Sequence, residues 1–147
     1  YVRYLLSFPG YSEGWGTYAE VYSYELAGLS DELTTLLQSQ LLLTLAIYGK
    51  MEIGVNYNCW TKKDMVNYLS GLGIEDNYDS DALYLSFIRE PCQYLKYIVG
   101  YLEIEQLRET AKEVMGEKFT RKRYHDFLLS CGPAPFSLIE EKLRRQS

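Results

Sequence analysis

Apolar positions recur along this chain at steps of three and four residues, the spacing that places side chains on one face of an α-helix. No stretch shows the two-residue alternation of a half-buried strand. Turn-forming residues separate the helical stretches at Pro9-Gly10, Gly28, Gly71-Leu72-Gly73, Gly116 and Gly132-Pro133. The pattern therefore predicts an all-α fold of about six or seven helices, packed as an irregular or orthogonal bundle in a single domain, 1–147.

The stretch from residue 31 to residue 48 is the richest in leucine. Its apolar stripe consists of Leu33, Leu36, Leu37, Leu41, Leu45 and Tyr48. Further apolar residues lie off this stripe, so we expect a central helix that is buried on most sides. Residues 52–57 either continue this helix or interrupt it, because Gly54 weakens a helix by up to about 1 kcal/mol relative to Ala. A helical continuation would direct Asn56 toward a cleft.

The longest helical pattern runs from Ala82 to about Met115 and contains Pro91. Proline removes a backbone donor and clashes with the preceding turn, so we expect a kink or a break near Arg89-Glu90. One face of the second half combines an amide, a phenol, a glycine and a guanidinium, at Gln93, Tyr97, Gly100, Ile104 and Arg108. Such a face is not a simple core stripe, and its glycine could admit a neighbouring helix or a substrate backbone.

Two acids lie on the mostly apolar helix that begins after Pro9-Gly10. Glu13 and Glu20 share one helical face with Thr17 and Tyr24, because they recur at steps of four, three and four residues. In an arbitrary helical protein such a pair is most often a solvated edge or a salt-bridge site. On an apolar helix, however, carboxylates need a cation or a network of donors. A metal ion and a buried arginine are the two alternatives.

Composition narrows the function classes. The net charge is −5 without a long basic run, which argues against nucleic acid as the main partner. No apolar run reaches the roughly 18 residues that span a bilayer, and three distant cysteines without a CxxC pair argue against a disulfide framework or a structural zinc site. Tyrosine, with 15 residues against 5 phenylalanines, indicates half-wet interior surface or an interface. Because Tyr1 is not a native start, the cell compartment stays open.

The segment Glu13-Gly14-Trp15-Gly16-Thr17-Tyr18-Ala19-Glu20 resembles the EGWAxYxE signature of the domain-of-unknown-function 885 family, whose bacterial members look like helical zinc metallopeptidases. Their HExxH motif lies upstream, on a separate helix. The resemblance implies that Glu13 is a third zinc ligand and Glu20 a supporting acid. This sequence has no HExxH, and its one histidine is His125. The chain therefore resembles the C-terminal portion of a larger helical, zincin-like enzyme.

Later segments extend the resemblance over nearly the whole chain. The pattern Pro91-x-Gln93-x-x-x-Tyr97-x-x-Gly100, followed by Leu107-Arg108, is similar to the family's late helix, and Tyr124-His125-Asp126-x-x-Leu129-x-x-Gly132 is similar to its FHDxLLxxG segment. The resemblance implies that Tyr97 donates to the oxyanion of the tetrahedral intermediate. The alternative for Tyr97 is a core phenol bonded to Gln93 or Glu90.

The remaining candidates are expected beside that site rather than in it. Arg108 either binds a substrate carboxylate or pairs with a buried acid such as Glu20 or Glu103. For His125, a structural role is favoured over substrate contact, and neither it nor the cysteines can complete a zinc site by spacing. We expect Gln93 and Asn56 to support the site or to contact substrate.

Two functions remain in competition. The first is the C-terminal part of a zinc-dependent peptidase, inactive alone, which would act on a peptide substrate within the full-length protein. The second is a non-catalytic helical interaction module or a degenerate enzyme domain, in which Glu13 and Glu20 serve only Arg or Lys partners. In the first case we expect a Tyr-lined acidic groove beside both acids and self-association through the face that the missing helix would cover. An HExxH motif upstream would discriminate between the two.

Overall fold

A computed structural model describes residues 6–74 and 78–145 of this chain. Over these two ranges the chain forms seven α-helices, one 3₁₀ turn and no strand, which confirms the predicted all-α fold of six or seven helices. The helices are α1 Pro9–Leu26, α2 Asp31–Asn56, α3 Lys62–Gly71, α4 Ser80–Arg89, α5 Leu95–Met115, α6 Arg121–Cys131 and α7 Phe136–Arg144, and the 3₁₀ turn is Gly116–Lys118. Part of the polar loop expected at 74–80 lies outside the described residues.

Side-chain caps begin several helices where the sequence places them. Ser30 accepts a hydrogen bond from the backbone N–H of Leu33 and caps α2, and Thr120 caps α6 in the same way. At α3, Thr61 and Asp64, which are three residues apart, form a reciprocal capping box. These caps satisfy backbone donors that have no partner inside the helix.

The two open questions about helix continuity are decided by the structure. Residues 52–56 continue α2 as helix, so the break that Gly54 could have introduced does not occur. The break expected near Arg89-Glu90 is confirmed, because α4 ends at Arg89 and α5 begins at Leu95. Pro91 lies in the intervening turn, where its missing N–H costs no helical hydrogen bond.

Buried apolar side chains form two clusters. The first joins α1, α5, α6 and α7 and contains Tyr11, Tyr18, Ile104, Leu107, Ala111, Tyr124, Phe127, Leu128, Cys131, Ile139 and Leu143. The second joins α2, α3 and α4 and contains Met51, Val55, Met65, Leu69 and Phe87. Helix α5 therefore contributes to the first cluster. Tyr94, the residue that precedes α5, packs on the second cluster.

Helices α1 and α5 pack most closely where two glycines meet. A Cβ atom added at Gly14 would lie 2.3 Å from the carbonyl carbon of Gly100, and one added at Gly100 would lie 2.1 Å from the carbonyl oxygen of Gly10. Only glycine permits backbones to approach this closely. Gly100 thus admits a neighbouring helix, one of the two roles expected for it, and the contact brings the beginning of α1 beside the beginning of α5.

The expectation that the leucine-rich helix is buried on most sides is wrong. In α2 the buried residues are confined to the C-terminal part and are Gly49, Met51, Glu52, Gly54 and Val55. Leu36 and Leu43 in the N-terminal half are 61% and 62% exposed. This half carries exposed leucines that the other described helices do not cover. Among the helices of the described ranges, none combines the length and apolarity needed to cross a membrane.

Candidate functional site

Glu13 lies near the N-terminus of α1 and faces the beginning of α5. Its Oε1 lies 4.0 Å from the Nζ atom of Lys96, and its side chain is 38% exposed, so it is partly withdrawn from water. Within residues 6–74 and 78–145, the carboxylate accepts no hydrogen bond. A half-buried carboxylate without a donor can still bind a ligand or a cation, because its lone pairs are unused.

Gln93 and Tyr97 lie around the same lysine. The amide oxygen of Gln93 accepts a hydrogen bond from Lys96 Nζ at 2.8 Å, and the same ammonium lies 5.4 Å from the centre of the Tyr97 ring. The Tyr97 hydroxyl makes no hydrogen bond within the described part of the chain, so the alternative of a phenol bonded to Gln93 or Glu90 is wrong. We call Glu13, Gln93, Lys96 and Tyr97 the Glu13 cluster.

Glu20 lies outside the Glu13 cluster. It follows Glu13 by two helical turns, which is roughly 10 Å along the axis. Its residue is exposed, and its carboxylate accepts a hydrogen bond from the Tyr24 hydroxyl at 3.2 Å. The structure therefore does not bring the two acids into one buried acidic groove, because Glu20 has its own partner at the surface.

Asn56 also lies away from the cluster, at the end of α2. Its amide nitrogen donates to the backbone oxygens of Glu52 and Phe87, both at 3.2 Å. Asn56 thus bonds the last turns of α2 and α4 together. The amide nitrogen that we expect to face a cleft thus joins two helix ends. There the Phe87 carbonyl lacks a helical donor, because Pro91 has no N–H.

Arg108 pairs with acids on its own helix. Its Nη2 lies 2.7 Å from Glu105 Oε2 and 3.4 Å from Glu109 Oε1. The prediction that Arg108 pairs with an acid is confirmed, but the acids are neither Glu20 nor Glu103. Burial raises the pKa of the Glu105 carboxyl above its ordinary value, and the charge of Arg108 opposes that rise. These contacts occupy Nη2 of the guanidinium, whereas Arg108 Nε is buried and has no hydrogen-bond partner among the described residues.

His125 is packed among aromatic side chains of α1. Its Nε2 lies 3.0 Å from the Tyr18 hydroxyl, and the rings of Trp15 and Tyr22 contact the imidazole nearly edge-on. Burial lowers the pKa of His125, and the nearby charge of Arg121 lowers it further. The neutral imidazole is therefore favoured at pH 7, and these contacts support the structural alternative for His125.

Metal-binding groups are sparse in the described ranges. No set of three His, Cys, Asp or Glu side chains in residues 6–74 and 78–145 is arranged to hold a metal ion. Glu13 could supply one ligand of a two-histidine, one-glutamate set. Cys59 and Cys92 are free thiols at the surface, and Cys131 is buried. A zinc site at Glu13 would therefore need its other ligands from elsewhere.

A family model described as "Bacterial protein of unknown function (DUF885)" matches residues 1–143. The chain belongs to this family. The DUF885 chain is also similar, at 26% identity and a TM-score of 0.75, to a protein from Colwellia psychrerythraea whose crystal structure is described as that of a "putative lipoprotein". The match covers 99% of this chain and 25% of that protein, so the chain spans about a quarter of its length. No curated protein matches the chain.

Two residues of this DUF885 chain escaped the sequence-based prediction. Lys96, the centre of the Glu13 cluster, lies three residues after Gln93 and four before Gly100, so its spacing places it on the helical face of the other candidates. The second residue is Glu52, to which the motif spacing assigns no site role. It is the one acid between Leu33 and Asn56, and an isolated acid in an apolar helix must find donors if it is buried.

Proposed function

We propose that this chain is the part of a DUF885-family, zinc-dependent peptidase that supplies one metal ligand, Glu13, and an oxyanion donor, Tyr97. The rest of a longer polypeptide would supply the HExxH helix with two histidines and the general base, so the chain would be inactive alone. The reaction is hydrolysis of a peptide bond. When bound, zinc would hold the attacking water and lower the pKa of that water to about 7.

The observation that carries this proposal is the state of the Glu13 carboxylate. It is half-buried, it accepts no hydrogen bond within the described ranges, and it lies within 4.0 Å of Lys96 beside the phenol of Tyr97. A carboxylate in that state is suited to ligate a cation, because no hydrogen bond from the described residues occupies its oxygens. Family membership and the length of the Colwellia psychrerythraea protein support a larger enzyme.

The chain's own residues have separable tasks in this proposal. Glu13 would bind the metal ion through its carboxylate. Tyr97 donates its phenolic proton in a hydrogen bond to the oxygen on which negative charge develops, and Gln93 keeps Lys96 beside the ring of Tyr97. Lys96 adds positive charge near that oxygen. Each task requires α1 and α5 to stay in contact through Gly14 and Gly100.

The alternative is a non-catalytic helical module, and one observation favours it. Among the described residues Lys96 is the cation paired with Glu13, and an ammonium at 4.0 Å can balance the carboxylate without any metal. In this case Glu13 and Lys96 form an ordinary ion pair between two helices. A full-length protein that binds no zinc would support the module.

The deciding experiment is metal analysis of the full-length protein carrying Glu13→Gln. We expect about one zinc per chain in the wild type and almost none in the variant after dialysis, because a neutral amide is a poor replacement for a carboxylate ligand. Peptidase activity should disappear together with the metal.

The matched control is Glu25→Gln, on the same helix. Glu25 is an acid whose carboxylate forms a partly exposed ion pair with Arg121. This variant should retain wild-type zinc and activity, because exposed pairs contribute only about 0–1 kcal/mol. Wild-type zinc content in the Glu13→Gln protein would refute the ligand assignment.

A further inference from the structure

Glu52, on α2, is an acid that the fold removes almost completely from water, with 1% of the residue exposed. Its Oε1 accepts a hydrogen bond from the backbone N–H of Gln93 at 2.6 Å. Its Oε2 accepts from the backbone N–H groups of Tyr94 and Leu95 at 3.0 and 2.9 Å. Three charge-assisted hydrogen bonds compensate for the burial of the carboxylate.

Gln93 and Tyr94 lie in the turn that leads into α5, and Leu95 is its first residue. Helix α5 has no side-chain cap from its own sequence. The N–H groups of a first helical turn lack partners inside the helix, and the helix dipole favours a negative charge there. Glu52 therefore performs the role of an N-cap, although it lies 41 residues before Gln93 in the chain.

The turn that Glu52 holds leads directly into Lys96 and Tyr97. Helix α2 contacts the same region a second time through Gly49, where a Cβ atom would lie 2.9 Å from a methyl carbon of Ile98. Helix α1 contacts α5 at Gly100. The beginning of α5 thus contacts both α1 and α2. Glu52 provides the hydrogen bonds of this contact, and the glycines provide the close packing.

We propose that Glu52 is the positioning residue of the Glu13 cluster: it holds the turn that leads into α5, so that Lys96 lies beside Glu13 and Tyr97 follows it on the same helix. It acts through the backbone of α5 and touches no substrate. This assignment rests on the proposed function, which it deepens by naming the residue that maintains the geometry. A displacement of about 1 Å at a reacting group can lower a rate by about 100-fold, so an anchor of this kind matters for catalysis.

The test is Glu52→Gln in the full-length, zinc-loaded protein. Glutamine keeps the length of the side chain but presents an NH₂ group to backbone N–H donors, so part of the cap is lost. Amide hydrogen exchange at residues 93–97 should accelerate by at least about tenfold. The kcat should fall by about 10- to 100-fold, while KM and zinc content stay within about twofold of the wild type.

Two further variants separate positioning from general stability. Glu52→Asp keeps the charge and should recover part of both the exchange protection and kcat, and it carries the test if Glu52→Gln does not fold. Val55→Ala, three residues further along α2, removes apolar volume from the cluster that contains Met51 and Phe87. It should leave kcat and the exchange of residues 93–97 unchanged.

Unchanged exchange at residues 93–97 in Glu52→Gln would overturn the assignment, and so would an equal loss of kcat in Val55→Ala. A failure of the proposed peptidase function can be distinguished from a failure of the Glu52 assignment. A wild-type protein without zinc-dependent hydrolysis overturns the peptidase and with it the catalytic part of this assignment, whereas the exchange measurement still decides whether Glu52 anchors α5.

Discussion

Lys96 lies near both Glu13 and the ring of Tyr97. The ammonium donates to Gln93 at 2.8 Å and reaches Glu13 only at 4.0 Å. Both side chains of the longer contact are partly exposed, and pairs of this kind contribute about 0–1 kcal/mol. The Glu13–Lys96 pair therefore adds little to the free energy of unfolding. This favours a ligand-binding role for Glu13 over a structural one.

Tyr97→Phe tests the donor role of the phenol. Because the hydroxyl has no hydrogen-bond partner within the described ranges, its removal should leave stability unchanged. The turnover of the full-length protein should fall by about 100-fold or more while zinc stays bound, since one donor to the developing oxyanion is lost. Steady-state kinetics together with metal analysis measure both quantities. The control is Tyr57→Phe, at a residue that is 83% exposed, and it should retain wild-type turnover.

At the scale of helices, the contact between α1 and α5 determines the site. Glycines at positions 10, 14 and 100 bring the two backbones together, and the Glu13–Lys96 contact lies at the same level of the pair. Further along, Tyr18 of α1 lies beside Arg108 of α5. Position 13 therefore lies near 96 and position 18 near 108, which means that the two helices run in the same direction.

Gly100→Ala should disrupt this contact. The new Cβ atom would lie 2.1 Å from the backbone oxygen of Gly10, and a backbone atom cannot move aside as a flexible side chain can. We expect a loss of about 3 kcal/mol in the free energy of unfolding, measured by urea denaturation. Gly16→Ala is the control, because no atom lies within 4 Å of its added Cβ and alanine is the better helix former by about 1 kcal/mol. Equal stability of the two variants would contradict the close approach.

At the scale of the whole molecule, burial is uneven. Both apolar clusters are built around helices that have several neighbours, whereas the N-terminal half of α2 has few. Its exposed leucines recur at helical steps and form one apolar face, the leucine face, which consists of Leu33, Leu36 and Leu43. Contiguous apolar faces of this kind mark interaction surfaces.

We expect the 147-residue chain by itself to self-associate through the leucine face. Analytical ultracentrifugation at increasing concentration should show association, and the double variant Leu36→Lys, Leu43→Lys should weaken it by at least about tenfold. The control is Leu138→Lys on α7, which is 56% exposed but lies on another helix and should associate as the wild type does. Sedimentation as a monomer at every concentration would contradict this role of the face.

The sequence by itself determined most of the helices and their ends, because a helix depends on residues within four positions of each other. The capping box at Thr61 and Asp64 and the break at Pro91 are local signals of this kind. Motif order also identified Glu13 and Tyr97 as candidates. These predictions needed no knowledge of how the helices pack.

Only the tertiary structure decided which groups meet. Glu52 caps a helix that begins more than 40 residues later, and the leucine-rich part of α2 stays exposed because the described chain has no element to cover it. Periodicity reports which face of a helix is apolar, but not whether a partner is present to bury it. Burial and long-range hydrogen bonds depend on the packing of distant segments, which is why these features appear only in the folded chain.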